Sequence, residues 1–300
     1  MNFREKLIEA IETKRSIVCM GIDPDIDAKQ FPEFLKVLEF PKFQFAKKLI
    51  DKVYDSIACI KVNTRFFMSD ELDQLKLIVE YAHEKGLLVI GDCKQNDIGN
   101  TMAMAYRKEF EGFNFDAITV NGYFGSDGII TDGIFDKWYK LEKGLFVLIK
   151  TSNNSSKEIQ DVNFVNEDGR TFWKNYHLMA SLTEEWSQKY EHVIGGVVGA
   201  TDLLNDKGEI ISTSSTMVKE ISKILRGILL LPGYGAQGGT SDSLKYLEKD
   251  SYCIVNSSRG IMYAHDRRFK GRYNEEDFAL AASDEVGFMN EDLNKHFKYK

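Results

Sequence analysis

The stretch IACIKVNTRFFMSDELDQLKLIVEYAHEKGLLVIGDCK (57–94) decides the fold. It opens on a short apolar run, IACIKVN (57–63), and closes on another, LLVIGDCK (87–94). Near-continuous Ile, Val and Leu in runs of this length mark parallel strands covered on both faces. Between them, DELDQLKLIVEYAHEKG (70–86) repeats apolar residues at helical spacing and stops at glycine, a helix C-terminal signal.

The same unit recurs in both directions. Further runs are IVCMGID (17–23), AITVNGY (117–123), LFVLIKTS (145–152), VIGGVVGAT (193–201), ILLLPGYG (228–235) and YCIVNSSRG (252–260). Eight β-then-α units predict an α/β chain folded as a (β/α)8 TIM barrel, with a doubly wound sheet as the weaker alternative. No Pro/Ser-rich linker interrupts them and only four prolines occur, so residues 1–300 are expected to form one domain. The N-terminal MNFREKLIEAIETKRS predicts a surface helix and not a targeting segment. After the fifth strand, TSNNSSKEIQDVNFVNEDGRTFWKNYH (151–177) is long and polar. It is either a plain surface insertion or a mobile lid, because barrel loops that follow strands surround the active face.

Composition narrows the function. With 39 basic against 46 acidic residues the formal charge is −7, which argues against a nucleic-acid partner. A small anionic ligand needs only a local positive pocket. No apolar run reaches about 18 residues, so no membrane span is expected. Cys19, Cys59, Cys93 and Cys253 are scattered among apolar runs, the pattern of reduced thiols in a cytoplasmic protein. The five histidines show no metal-ligand spacing, and no metal site is expected. Ser257 and Ser258 have no base adjacent in sequence and read as caps of the following helix.

The least ordinary segment is GDCKQNDIGNT (91–101). On a regular strand Asp92 and Lys94 share a face while Cys93 takes the other, and Asp97 follows in the loop. Charges placed inward at a strand end need partners, because an isolated buried charge is costly. An ion-pair network closing the barrel top is one reading. The other is a lysine kept protonated by flanking carboxylates, able to stabilise a carbanion and then protonate it. Lys61, at the end of the neighbouring second strand, strengthens the second reading by bringing two lysines and two aspartates to one place. Asp23 holds the matching position on strand one, where a helix N-cap is an equally good reading.

The last two strands end in PGYGAQGGT (232–240) and NSSRG (256–260). Glycines such as Gly235 and Gly238 let backbone N–H groups approach a ligand, and barrels often bind phosphate after strands seven and eight. Arg259 adds a charge-assisted phosphate contact.

Together these residues resemble the orotidine 5'-monophosphate decarboxylase family. The D-x-K-x-x-D-I core (92–98), GID at strand one, the strand-two lysine, PGYGAQGG and SRG stand in the family's order across about residues 17–264. The TSN segment and its insertion are similar to the longer bacterial-type branch. The resemblance implies conversion of orotidine 5'-monophosphate (OMP) to UMP and CO2 in pyrimidine biosynthesis, with no metal or organic cofactor. It implies that Lys94 donates a proton to C6 of the pyrimidine, with Lys61, Asp92 and Asp97 completing a charged array. Asp23 and Lys61 would hold ribose hydroxyls, Ser152 the pyrimidine, and Gln237 with Arg259 the phosphate. Asp97 and Thr101 would serve the partner's site in a homodimer. Two rivals remain: a magnesium-dependent sugar-phosphate barrel sharing D-x-K-x-x-D, and a silent nucleotide-binding barrel. Chelator sensitivity would mark the first, and loss of a charged-array residue the second.

Overall fold

Eight parallel strands close into a ring in the computed structural model, which describes residues 1–165, 171–199, 203–204, 210–212, 214–234 and 241–300. They are β1 (Val18–Ile22), β2 (Cys59–Val62), β3 (Leu88–Gln95), β4 (Ala117–Val120), β5 (Gly144–Lys150), β6 (Ile194–Val198), β7 (Leu229–Pro232) and β8 (Cys253–Ser257). Each pairs with its neighbours in sequence, and β8 returns to β1 through Val18 opposite Val255 and Met20 opposite Ser257. All eight apolar runs are barrel strands. β1, β2, β4, β6 and β8 are buried along their whole length, as strands with helices outside and a packed interior must be.

The helices of eight or more residues are α1 (Phe3–Lys14), α2 (Pro41–Val53), α3 (Leu72–Glu84), α4 (Gly99–Arg107), α5 (Asn175–Gln188), α6 (Ser214–Ile224) and α7 (Phe278–Leu293). In α3, Leu75, Ile78, Val79 and Ala82 form the buried stripe, and the chain leaves through Gly86 at φ 70°. The N-terminal helix α1 is more than a surface element. Phe3, Leu7 and Ile11 are buried, and the Phe3 ring meets Phe146 of β5 edge-on at 6.0 Å between centroids.

The segment after β5 contains structure of its own: the short helix Lys157–Gln160 and an antiparallel hairpin of Asn163–Val165 with Thr171–Lys174. A second hairpin, Leu203–Leu204 with Ile210–Ser212, follows β6 and had no distinct signal in the sequence. All four cysteines are free and buried. Among the described residues no helix is long and apolar enough to cross a membrane.

Close packing explains the Gly-Gly pair of β6, one glycine on each face of the strand, and a Cβ on Gly196 would stand 2.3 Å from Ile149 Cδ1. A Cβ on Gly195 would stand 2.2 Å from the carbonyl oxygen of Ile228 and 3.1 Å from the Phe146 ring. Gly195→Ala should therefore cost about 1–3 kcal/mol through overpacking, read as a lower urea midpoint at unchanged slope.

Candidate active site

Every barrel strand contributes a residue, from its C-terminal end or the loop just after it, to one cavity of about 640 Å³. That volume suits a small-molecule ligand. Its floor is polar because β3 departs from a regular strand at its end. Pairing with β4 runs Ile90–Ala117 and Gly91–Ile118, then jumps to Gln95–Val120. Asp92, Cys93 and Lys94 thus stand opposite Thr119 alone, a bulge that re-aims side chains toward the mouth. Lys94 sits at φ 48°, a left-handed conformation that an L residue keeps only when its surroundings enforce it. One enforcing contact is its own N–H, which donates to Thr119 Oγ1 at 2.9 Å.

Asp92 is the hub. Lys61 Nζ meets its Oδ2 at 2.7 Å, Lys94 Nζ meets its Oδ1 at 2.6 Å, and the Thr119 hydroxyl donates to Oδ1 at 3.0 Å. Burial alone would push the Asp92 carboxyl up, but the Lys61 and Lys94 ammoniums outweigh it and hold the group well below the usual carboxylate range. For Lys61, burial pulls downward, and Asp92 followed by Asp23 overcomes it, so the ammonium lies above the ordinary lysine range. Lys61 is 5% exposed, whereas the Lys94 side chain is 49% exposed and faces the cavity. Asp92 and Lys94 do meet on one side, as alternation suggested, but the bulge brings them there.

The other sequence-derived residues divide. Asp23, Ser152 and Arg259 line the same cavity. Asp23 caps no helix, since the next helix begins at Glu33, and its Oδ1 is buried with no hydrogen-bond partner among the described residues. A buried carboxylate oxygen in that state needs a donor from outside the described side chains. Asp97 and Thr101 do not line the cavity of their own chain. Asp97 Oδ1 accepts from the Ile98 N–H at 2.8 Å, and Thr101 is exposed on α4. Gly235, Gln237 and Gly238 lie outside the described residues. Ser258 stands at the N-cap of the one-turn helix Arg259–Met262, yet its side chain makes no capping bond. Its Oγ instead accepts from Asn256 Nδ2 at 3.4 Å, which corrects the capping expectation for that serine.

A family model described as orotidine 5'-phosphate decarboxylase / HUMPS family matches residues 17–272. The chain belongs to that family. Its relatives include the orotidine 5'-phosphate decarboxylases of Clostridium tetani and Natronomonas pharaonis. The first is 34% identical over 304 residues, covering 96% of this chain and 96% of the relative. The second is 32% identical over 299 residues, covering 99% and 100%. Among solved structures, an OMP decarboxylase from Leishmania donovani superposes with a TM-score of 0.71 at 25% identity, covering 97% of this chain and 99% of that one.

Three residues of this decarboxylase-family barrel escaped the sequence reading. Thr119 showed only as one hydroxyl in the apolar AITV run (117–120). Arg267 lines the cavity with Arg259 but stands in AHDRRFK (264–270), where it looks like any surface charge. Lys150 ends β5 fully buried, with Nζ 2.9 Å from Ser156 Oγ and 2.8 Å from Asp161 Oδ2. It fastens the following loop beside Ser152, assisted by Thr151 N–H donating to Gln160 Oε1 at 2.9 Å. Burial pushes the Lys150 ammonium down and Asp161 offsets part of that.

Proposed function

We propose that the chain is an orotidine 5'-monophosphate decarboxylase that converts OMP to UMP and CO2 by direct decarboxylation, with Lys94 protonating C6. The observation that carries this reading is Asp92 held between two ammoniums, one buried and one facing the cavity. Loss of CO2 leaves an electron pair on a vinylic carbon with no carbonyl placed to delocalise it. A fixed ammonium is the electrostatic remedy. The Lys94 ammonium stabilises that charge, transfers one proton to C6 and is left as an amine that solvent reprotonates. Asp92 keeps Lys94 extended toward the cavity. Asp23 and Lys61 hold ribose hydroxyls, which gives the unpartnered Asp23 Oδ1 a donor. Ser152 contacts the pyrimidine, and Arg259 holds the phosphate with Gln237 and the backbone around Gly235 and Gly238. No metal or organic cofactor takes part in these steps.

The chain is read as one domain whose 151–177 insertion is a lid over the mouth, anchored at its start by Lys150. Phosphate binding far from C6 then supplies energy for closure. We assign Asp97 and Thr101 to the partner's site in a homodimer. The exposed apolar side chains of Ile98, Met104, Tyr123 and Phe124 beside them support that assignment. Four free, buried thiols fit a cytoplasmic location.

A magnesium-dependent sugar-phosphate barrel of the same family would want Asp92 open to the metal, whereas both its oxygens are engaged by lysines. The test is conversion of OMP in the presence of EDTA, followed by loss of orotate absorbance. Chelator-resistant formation of UMP is the expected result. A folded protein that leaves OMP untouched but turns over a sugar phosphate with Mg2+ would overturn the proposal.

A further inference from the structure

We propose that Thr119 is a positioning residue for the reaction, its hydroxyl holding the Lys94 ammonium in place by gripping both the Lys94 backbone and the Asp92 carboxylate. The inference rests on the decarboxylase reading above. Thr119 lies on β4 and is buried between Ile118 and Val120, in a strand otherwise apolar. A hydroxyl has one proton and two lone pairs, so its bonding here is determined. The Lys94 N–H can only donate, so Thr119 Oγ1 accepts from it, at 2.9 Å. The hydroxyl proton is then free for Asp92 Oδ1, at 3.0 Å. That same Oδ1 receives the Lys94 ammonium at 2.6 Å.

A closed ring results: Lys94 backbone to Thr119, Thr119 to Asp92, and Asp92 back to the Lys94 side chain. Both ends of Lys94 are referred to one oxygen on the neighbouring strand. The ring spans the bulge, where three residues of β3 face Thr119 alone and no regular ladder fixes the backbone. Lys94 is also left-handed at φ 48°, so relaxation of the bulge would carry its half-exposed ammonium away from the reacting carbon. Displacement of about 1 Å is enough to cost rate heavily in a reaction that depends on placement. Lys61 reaches the other carboxylate oxygen and does not need Thr119.

The experiment compares wild type, Thr119→Val, Thr119→Ser and Thr119→Ala for OMP turnover and thermal unfolding. Valine keeps the shape and removes both hydrogen bonds. Serine and alanine both lack the methyl and differ only in the hydroxyl. Thr119→Val should lose about 10- to 100-fold in kcat with KM within about threefold, because the loss falls on the transition state. Thr119→Ser should stay within about fivefold of wild type, and Thr119→Ala should fall with valine. Valine turnover equal to wild type overturns the inference. So does a Ser–Ala pair with matching kcat, which would assign Thr119 to packing alone. The pair decides the matter even where the valine variant does not fold. Absence of OMP turnover by wild type would instead overturn the decarboxylase reading.

Discussion

Lys94→Ala should lose at least about 10⁴-fold in kcat/KM for OMP, because in the proposed mechanism one side chain supplies both the electrostatic stabilisation and the proton. Its fold should survive. The Lys94 side chain is 49% exposed, and Asp92 keeps Lys61 as a partner, so the change in stability should stay within about 1 kcal/mol. Turnover and urea unfolding measured on one preparation separate the two effects. A variant that unfolds as wild type does and still decarboxylates OMP would remove Lys94 from the chemistry. The same variant tests the shared site. Mixed with Asp97→Ala, itself expected to be inactive, it should recover about a quarter of wild-type activity if each site of a twofold dimer takes Lys94 from one subunit and Asp97 from the other. No recovery after verified subunit exchange would return Asp97 to its own chain.

Asp92→Ala should be the most destabilising change at the site as well as an inactivating one. It strands Lys61, 5% exposed, leaving Asp23 as the other carboxylate that favours its charge. Breaking a buried pair by removing one partner costs about 3–5 kcal/mol. Asp92→Asn retains an acceptor for the Thr119 hydroxyl and should cost less stability, while losing activity with the charge. The pH dependence has a definite sign. Asp92 is held below its ordinary range, so its contribution is present above the unfolded carboxylate value and fades as pH falls through the folded one. Lys61 is held above its ordinary range, so its contribution is full below the unfolded lysine value and fades as pH rises through the folded one. The pair therefore acts at full strength between about pH 5 and 10. The stability gap between wild type and Asp92→Ala should narrow in acid. An Asp92→Ala protein as stable as wild type at pH 7 would show that Asp23 alone suffices for Lys61.

The barrel was legible from the chain because its signal is local and repeated. Eight runs such as IVCMGID (17–23) and YCIVNSSRG (252–260) are near-continuously apolar and short, and at that length, repeated between helical stretches, they mark strands covered inside and out. The charged residues at strand ends were legible for the same reason. Asp23, Lys61, Asp92, Lys94 and Arg259 stand where apolar runs stop, and a charge there asks for a partner.

What the tertiary structure alone decided is how those charges are partnered and aimed. Whether Asp92 bridges two lysines or one depends on β2 lying beside β3, a contact between residues 31 positions apart. The bulge at Lys94 follows from the β3–β4 register, which no local pattern encodes. Thr119 becomes part of the site only because that register sets its hydroxyl against both Lys94 and Asp92. Arg267 looks like an ordinary surface charge in sequence, and Lys150 is one more charge where an apolar run stops; only the closed barrel makes the first a wall of the cavity and the second the anchor of the following loop. Apolar periodicity is written residue by residue along the chain. Hydrogen-bond partners are chosen across the sheet, by residues that sequence keeps far apart.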